Sequence, residues 1–280
     1  MTTDGKLTLT SGAYSVDIPV PEYGYKSIVS LGLDVEKLDD GTYTIYDNGT
    51  TYDKYRCECE IILTPTEMSN LNTFLKTNAR ANTSLSLAMP SASGFFPFTP
   101  LRGDAGTFTV AVIISDTEKI GESPYLYFRV KLIIYNQSTF PSYSIGTVDN
   151  EGAFNVALDG TTITGRFPIG WPNPSGELGI YDAVLEDNSV EYVDRGIARE
   201  KWTSNLSFTW SKNNTANFLN KLISVVRGGD FTIAPQENTY MYGRDHASTA
   251  TYTSRMIQDT IEITHRNCNQ FSFSILVTKI

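Results

Sequence analysis

Apolar and polar residues alternate along much of the chain, which is the pattern of half-buried β-strands. Two stretches follow the longer period of an amphipathic helix instead, at about 64–80 and 213–227. No strand–helix–strand alternation of a parallel sheet is sustained. The sequence therefore predicts a mainly β protein with one embedded helix in each half. The clearest strands are predicted at 55–63, 127–135, 202–210 and 271–277.

Local signals support the helices and one turn. Thr64, Pro65 and Glu67 form a capping box with proline at the first helical position. The second helix has a weaker cap, at Ser211 or Asn213. Asn48–Gly49 predicts a hairpin turn. The apolar stripes of the helices comprise Met68, Leu71, Leu75 and Ala79 in the first and Phe218, Leu219, Leu222 and Val226 in the second.

The same order of strand, helix and closing strands occurs twice. Aligning Tyr55 with Trp202 gives an offset of 202 − 55 = 147 residues, which also aligns Leu71 with Phe218 and Leu75 with Leu222. An offset shared by strand and helix indicates a duplication, and we expect two domains, at 1–145 and 146–280. Duplicated folds of this size usually build symmetric or pseudo-symmetric assemblies.

Composition agrees with a folded two-domain chain. The 280 residues include 40% hydrophobic, 12% aromatic and only 19% charged residues, so uncharged polar groups dominate the expected surface. The 22 basic and 31 acidic residues give a net charge of −9, and no run of Lys or Arg marks a phosphate-binding stripe. The negative charge and the lack of a basic stripe disfavour a protein that binds in a nucleic-acid groove. The negative charge is compatible with a protein that lines a lumen through which DNA slides.

The chain carries no secretory signal and no apolar stretch long enough for a membrane span, so we expect a soluble protein in the cytosol at synthesis. Three cysteines are too few for a disulfide scaffold. Cys57 and Cys59 lie on one face of a predicted strand and are expected to be buried thiols.

Residues for catalysis are scarce. The only histidines are His246 and His265, and we expect His265 to be a surface residue at a strand end. Glu58 and Glu60 share the solvent face of one strand, which suits an edge or interface as readily as a glycosidase pair. No nucleotide-binding, nucleophile or zinc motif occurs. We therefore predict no catalytic residues, no cofactor and no metal site, and favour a structural or binding protein.

Aromatic loop residues are the best candidates for an interface. They follow each predicted helix and would either dock on a neighbouring subunit or fold back over the chain's own sheet. Trp171 and its neighbouring prolines would alternatively form a sugar-stacking platform. The candidate interface residues are Phe95, Phe96, Phe98, Phe231, Tyr240 and Tyr242.

The second copy resembles the tail-tip and distal-tail proteins of tailed bacteriophages, including the lambda-type minor tail proteins. The resemblance rests on an alternating strand leading into a short helix, then the Gly-aromatic-x-x-Pro-like segment at 229–235, then closing antiparallel strands at 257–264 and 271–277. The first copy is similar over 55–87 and 126–135, but its aromatic run at Phe95–Phe98 comes late.

The resemblance implies a tail-tube-like β-sandwich or barrel with a flanking helix in each domain. It implies a non-enzymatic virion protein, assembled in the host cytoplasm, that forms a trimeric or hexameric ring at the distal tail or baseplate hub. Its partners would be the tail tube protein, other tail-tip proteins and genomic DNA passing through the lumen without sequence-specific binding.

Three alternatives stay open. The nearest is a two-domain tail-tube protein that stacks along the tail. A different class is a carbohydrate-binding, adhesin-like β-sandwich that uses Trp171, Tyr240 and Tyr242. A hydrolase comes last and would need an acidic pair in a cleft.

Overall fold

A computed structural model describes most of the chain and is mainly β, as predicted, with one large antiparallel sheet. The described residues are 6–21, 25–39, 42–52, 54–78, 84–89, 106–122, 125–136, 147–152, 154–170, 180–184, 190–194, 203–235, 251–267 and 270–280. The predicted domain boundary at 145/146 lies outside them.

The described part of the first half has nine strands and one helix, and the helix runs directly into a π-helical turn at Phe74–Asn78. The strands are β1 (Lys6–Ser11), β2 (Tyr14–Pro19), β3 (Lys26–Ser30), β4 (Leu33–Lys37), β5 (Tyr43–Asp47), β6 (Lys54–Leu63), β7 (Leu85–Met89), β8 (Gly106–Ile120) and β9 (Tyr127–Asn136), and the helix is α1 (Pro65–Thr73).

The described part of the second half also has nine strands and one helix, and this helix too runs into a π-helical turn, at Leu222–Val226. Its strands are β10 (Phe154–Leu158), β11 (Thr161–Gly165), β12 (Ile180–Val184), β13 (Val190–Asp194), β14 (Thr203–Ser211), β15 (Asp230–Pro235), β16 (Tyr252–Met256), β17 (Thr260–Asn267) and β18 (Gln270–Lys279), and the helix is α2 (Lys212–Lys221).

Strand pairing repeats between the halves. β1 pairs with β2 and β7 in the first half, and β10 pairs with β11 and β15 in the second. β6 pairs with β9, as β14 pairs with β18. The helices begin at Pro65 and Lys212, so the offset is 212 − 65 = 147 residues. The two halves therefore share a pattern of strand pairing although their sequence identity is low.

The two halves lie side by side in a single 14-stranded sheet. Its order is β11-β10-β15-β16-β18-β17-β3-β6-β9-β8-β7-β1-β2, and β14 pairs with the other edge of β18. Second-half strands thus occupy one side and first-half strands the other, and they meet where β17 pairs with β3. The hairpins β4–β5 and β12–β13 form separate two-stranded sheets.

Within the described residues the halves differ at two strands: β3 has no counterpart, and β8 is matched by two strands. β8 is continuous and has a small irregularity between Ile114 and Asp116, whereas its counterpart is broken at 257–259 into β16 and β17. At this break the Gln258 side chain donates to the carbonyl of Ser274 and accepts from the N–H of Leu276. A side chain thereby replaces ladder bonds that the turned backbone can no longer make.

Alternating side chains supply the core. On β6 the odd-numbered residues from Tyr55 to Leu63 are buried, as the sequence pattern predicts. The second half is richer in aromatic packing, since Phe208, Trp210, Phe218 and Phe273 contact one another. A Cβ at Gly165 would lie 2.3 Å from the Trp210 ring, so this close approach requires glycine. One contiguous apolar cluster includes residues of both halves.

Both helix starts follow the sequence signals. Glu67 N–H donates to Thr64 Oγ1 at 3.3 Å, and Thr64 N–H donates to Glu67 Oε2 at 2.9 Å, which confirms the capping box. Ser211, rather than Asn213, caps α2. In the stripes, Leu71, Phe218, Leu219 and Leu222 are buried, Met68, Leu75 and Val226 are partly buried, and Ala79 lies outside the described residues.

The prediction of a hairpin turn at Asn48–Gly49 is wrong. The hairpin in this region joins β4 to β5 before Asn48, and Asn48–Gly49 instead leads into a short 3₁₀ turn at Thr50–Tyr52. Gly49 takes a positive φ of 90°, whereas Asn48 lacks the positive φ that this type of hairpin turn also requires. The Asn48 side chain donates to Gly32 O at 3.0 Å and Asp34 Oδ2 at 2.9 Å, which closes the open end of the hairpin.

The capping box gives a direct test. Thr64→Ala removes the acceptor for Glu67 N–H at the start of α1, and we expect a loss of about 1 kcal/mol in the free energy of unfolding. Thr66→Ala is the matched control, because Thr66 is exposed in the same turn, and its effect should stay within about 0.5 kcal/mol. Urea unfolding measures both, and equal losses would contradict this role of Thr64.

Candidate assembly interface

The junction between the halves is a feature that the sequence alone does not locate. β3 and β17 pair antiparallel over five residues, from Lys26 opposite Thr264 to Ser30 opposite Thr260. Each strand also has a partner within its own half, β6 for β3 and β18 for β17. We call the β3–β17 pairing, with the side chains that contact across it, the seam. It converts two half-sheets into one.

His265 fills the core side of the seam. It is 1% exposed, its Nε2 lies 2.8 Å from Ser27 Oγ, and its ring stacks on Tyr25 with centroids 4.1 Å apart. The edge of the ring contacts Phe271. Burial lowers the pKa of His265 from 6.5 to about 3, so the side chain is neutral at ordinary pH. The seam is therefore built around an uncharged imidazole.

The expectation that His265 is a surface residue is wrong. Its backbone N–H donates to Tyr25 O at 3.0 Å, so the chain just before β3 covers the end of β17 and removes the ring from solvent. The pairing that buries it joins residues 238 positions apart. The alternation of apolar and polar residues at 261–265 does not indicate that a strand so distant in sequence covers His265.

Asp259 stabilises the turn between β16 and β17, just before β17 begins. Ser30 Oγ donates to its carboxylate, Leu33 N–H donates to Oδ1 at 2.8 Å, and Leu31 N–H donates to its backbone carbonyl at 3.1 Å. Burial by itself would raise the pKa of Asp259, but these hydrogen bonds outweigh it and hold the pKa below its usual value. The carboxylate thus joins the end of β3 to the start of β4.

A second contact joins the halves beyond the sheet. Arg227, which is buried after the π-helical turn, donates through Nε to Asp47 Oδ2 at 2.7 Å and through a terminal nitrogen to Leu31 O at 2.5 Å. The Arg227 guanidinium holds the pKa of the Asp47 carboxyl below its usual value. The next residue, Gly228, lies so close to Ile45 that a Cβ there would be 2.7 Å from its Cγ2. The β4–β5 hairpin is therefore held against the second half.

The contact on the solvent side of the seam stabilises it less than the contacts on the core side. Lys26 Nζ lies 2.7 Å from Glu262 Oε1, and hydrogen bonding to Glu262 raises the pKa of Lys26. Both side chains are close to half exposed, and exposed ion pairs usually contribute less than about 1 kcal/mol. The buried side chains and backbone ladder supply most of the cohesion.

Of the predicted interface residues, Phe231 is described, and it lies in the core at 3% exposure. It therefore does not provide a surface for a neighbouring subunit, because β15 directs it beneath the sheet among the second-half apolar residues. The other five are Phe95, Phe96, Phe98, Tyr240 and Tyr242, which lie outside the described residues together with Trp171 and His246.

The remaining candidate residues are on β6. Cys57 and Cys59 are buried and form no disulfide, as expected, and burial, with a smaller contribution from the neighbouring Cys59, raises the pKa of the Cys57 thiol. Glu58 and Glu60 face outward and border a depression of about 600 Å³ with Lys26 and Lys131. Arg56 pairs with Glu58 at 3.2 Å and Arg129 with Glu60 at 2.9 Å, so each carboxylate has a basic partner.

No protein-family model matches the chain, and no curated protein matches it in sequence. Within the described ranges, no group of three or more His, Cys, Asp or Glu side chains is placed to hold a metal ion. The helices of the described part are all too short or too polar to cross a membrane.

Asp259→Ala should destabilise the protein by about 2–3 kcal/mol, because it leaves Leu33 N–H and Ser30 without their acceptor at a partly buried site. Asp230→Ala is a matched control: its carboxylate pairs with Arg255 at 2.7 Å on the surface of β15, and its loss should cost less than about 1 kcal/mol. Urea denaturation of both variants makes the comparison. Similar costs would show that Asp259 contributes no more than a surface ion pair.

Because His265 is buried and neutral, we expect the free energy of unfolding to depend on pH in a specific way. The unfolded chain binds a proton near pH 6.5, whereas folded His265 resists protonation down to about pH 3, so its contribution to stability is present above pH 6.5 and is lost as pH falls toward 3. Each pH unit in this window should remove up to about 1.4 kcal/mol. His265→Phe lacks this component, so its unfolding free energy should fall less steeply. Parallel pH profiles for the two proteins would contradict the assignment.

Proposed function

We propose that this chain is a non-enzymatic structural protein of a bacteriophage tail that forms a ring at the distal tail or tail tip. The observation that carries the proposal is the seam, where two copies of one fold are joined edge to edge in a continuous sheet. A protein whose repeats already associate in this way has the kind of contact from which a ring is built.

The geometry of the contact supports a ring over an isolated dimer. The seam joins different edges of the two repeats, since the first half contributes β3 and the second contributes β17. A contact between unlike surfaces can be repeated from unit to unit, and it closes into a ring when the rotation between units permits. In this proposal each half is a tail-tube-like β-sandwich or barrel domain, and three or six chains complete the ring.

On the solvent-exposed face of the first half, basic side chains are paired with carboxylates, as expected of a surface along which DNA moves without binding tightly. Arg129 pairs with both Glu60 and Glu118, and Lys131 pairs with Asp116 at 3.3 Å. Basic groups already paired with carboxylates bind phosphates weakly, because the carboxylates repel the same phosphates. The proposed partners are the tail tube protein, neighbouring tail-tip proteins and genomic DNA within the lumen, and the proposed location is the virion after assembly in the host cytoplasm.

The mass and symmetry of the purified full chain test the proposal. Native mass spectrometry should give a closed trimer or hexamer, and negative-stain class averages should show a central hole. Open-ended stacks of many rings would favour the alternative of a two-domain tail-tube protein. A protein that stays monomeric at its highest soluble concentration would contradict ring formation by this chain.

A further inference from the structure

The β4–β5 hairpin of the first half is held against the second half by Arg227. Asp47, the last residue of β5, accepts from Arg227 Nε at 2.7 Å, and Leu31 O accepts from a terminal nitrogen of the same guanidinium at 2.5 Å. Arg227 directly follows the π-helical turn Leu222–Val226 and has a positive φ of 44°, which residues other than glycine seldom adopt. The arginine thus makes its contacts with the hairpin at a cost in backbone strain.

The second half contains the same hairpin. The two strands of β12–β13 begin 180 − 33 = 147 and 190 − 43 = 147 residues after those of β4–β5. The registers agree as well, because Leu33 lies opposite Asp47 and Ile180 lies opposite Asp194. The β12–β13 hairpin is therefore the counterpart of the hairpin that Arg227 holds.

Each of the three residues that make the internal contact is matched by an identical residue 147 positions away. The matched residues are Leu31 with Leu178, Asp47 with Asp194, and Arg80 with Arg227. Leu178 and Arg80 lie outside the described residues, and in the sequence Arg80 is the second residue after the π-helical turn Phe74–Asn78. Because the halves share few identical residues, the presence of both Asp194 and Arg80 indicates that they form a second pair.

The position of β14 indicates that this second pair joins two chains. Ile169 forms a two-way bridge with Ser207 on the outer edge of β14, with N···O distances of 2.9 and 2.8 Å. β14 pairs with one edge of β18, whereas β17, which makes the seam, pairs with the other edge. The chain that precedes β12 thus lies on the side of the second half opposite the seam. We therefore expect β12–β13 to extend away from the first half of its own chain.

The charges of the two segments are complementary. The segment 177–194, which contains the hairpin, has six acidic residues and no Lys or Arg. The segment 68–103, which contains the first π-helical turn, has Lys76, Arg80 and Arg102 and no Asp or Glu. The internal contact has the same signs, since 33–47 has five acidic residues and one lysine, and 212–229 has three basic residues and no acidic one. Opposite charges favour the association and set its orientation.

The first π-helical turn is accessible in the single chain. Lys76 and Thr77 in this turn are exposed. They line a groove of about 510 Å³ that also includes Met68 of α1 and Phe128 of β9. At the second turn, by contrast, Ile223 is 3% exposed, and the arginine that follows the turn is buried. The first turn therefore has room for a hairpin of another chain.

We propose that the β12–β13 hairpin of one copy docks at the π-helical turn Phe74–Asn78 of a second copy, as β4–β5 docks beside Leu222–Val226 within the chain. Asp194 of one copy then pairs with Arg80 of the other. This inference deepens the proposed ring assembly and rests on it. Because the hairpin and the turn are unlike surfaces, the contact repeats head to tail from chain to chain and can close into a ring.

Charge reversal in the full chain tests the contact. Asp194→Arg and Arg80→Asp each bring like charges together, and each should raise the apparent dissociation constant of the assembly more than about tenfold. Native mass spectrometry over a dilution series measures this constant. The matched control is Asp17→Arg, which makes the same charge change on the exposed side of the β1–β2 hairpin and should leave the assembly intact. None of the three should lower the melting temperature of the dissociated chain by more than a few degrees.

Mixing the two reversed variants separates a contact between chains from one within a chain. In a mixture of Asp194→Arg and Arg80→Asp chains with different tags, every contact between unlike chains again joins opposite charges. The two tags should therefore copurify from the mixture, although each variant alone is dissociated. A wild-type assembly that neither reversal weakens, or a mixture that does not reassociate, would overturn this contact while leaving the ring proposal in place. A wild-type chain that is monomeric would overturn the ring proposal and this contact with it.

Discussion

The pairing of β3 with β17 is the interaction on which the rest of the architecture depends. Without it, each half would end in an open strand edge, with β3 exposed on one side and β17 on the other. Open edges cost backbone hydrogen bonds and invite aggregation, so joining them satisfies both halves at once. The buried His265, the corner at Asp259 and the Arg227–Asp47 pair all lie around this one contact.

A local change in the second half accompanies this pairing. The break at 257–259 separates β17 from β16, whereas their counterpart β8 runs without interruption. Two side chains stabilise the break: Gln258 bonds to the backbone of β18, and Asp259 bonds to the end of β3. A duplicated fold has thus diverged at the point where its two copies meet, while the pairings around it stay the same.

Local signals in the sequence predicted local structure well. The alternation on β6, the capping box at Thr64 and the offset of 147 residues all reflect contacts between near neighbours or repeated patterns, and the structure has each of them. The predictions for His265 and Phe231 were wrong because their burial depends on strands distant in sequence. Asn48–Gly49 shows the same limit: Gly49 takes a positive φ, but no hairpin turn forms there, because β5 pairs with β4 and not with the strand that follows.

Hydrogen exchange at the backbone amides of β3 and β17 tests the central claim, that the two halves are one cooperative sheet, most directly. If the seam is integral to the fold, the amides of Val29 and Ile263, which face the partner strand across the seam, should exchange as slowly as those of β6 and β18, through global unfolding alone. Fast exchange along β3 and β17, with β6 and β18 still protected, would show that the halves open independently and would contradict the account.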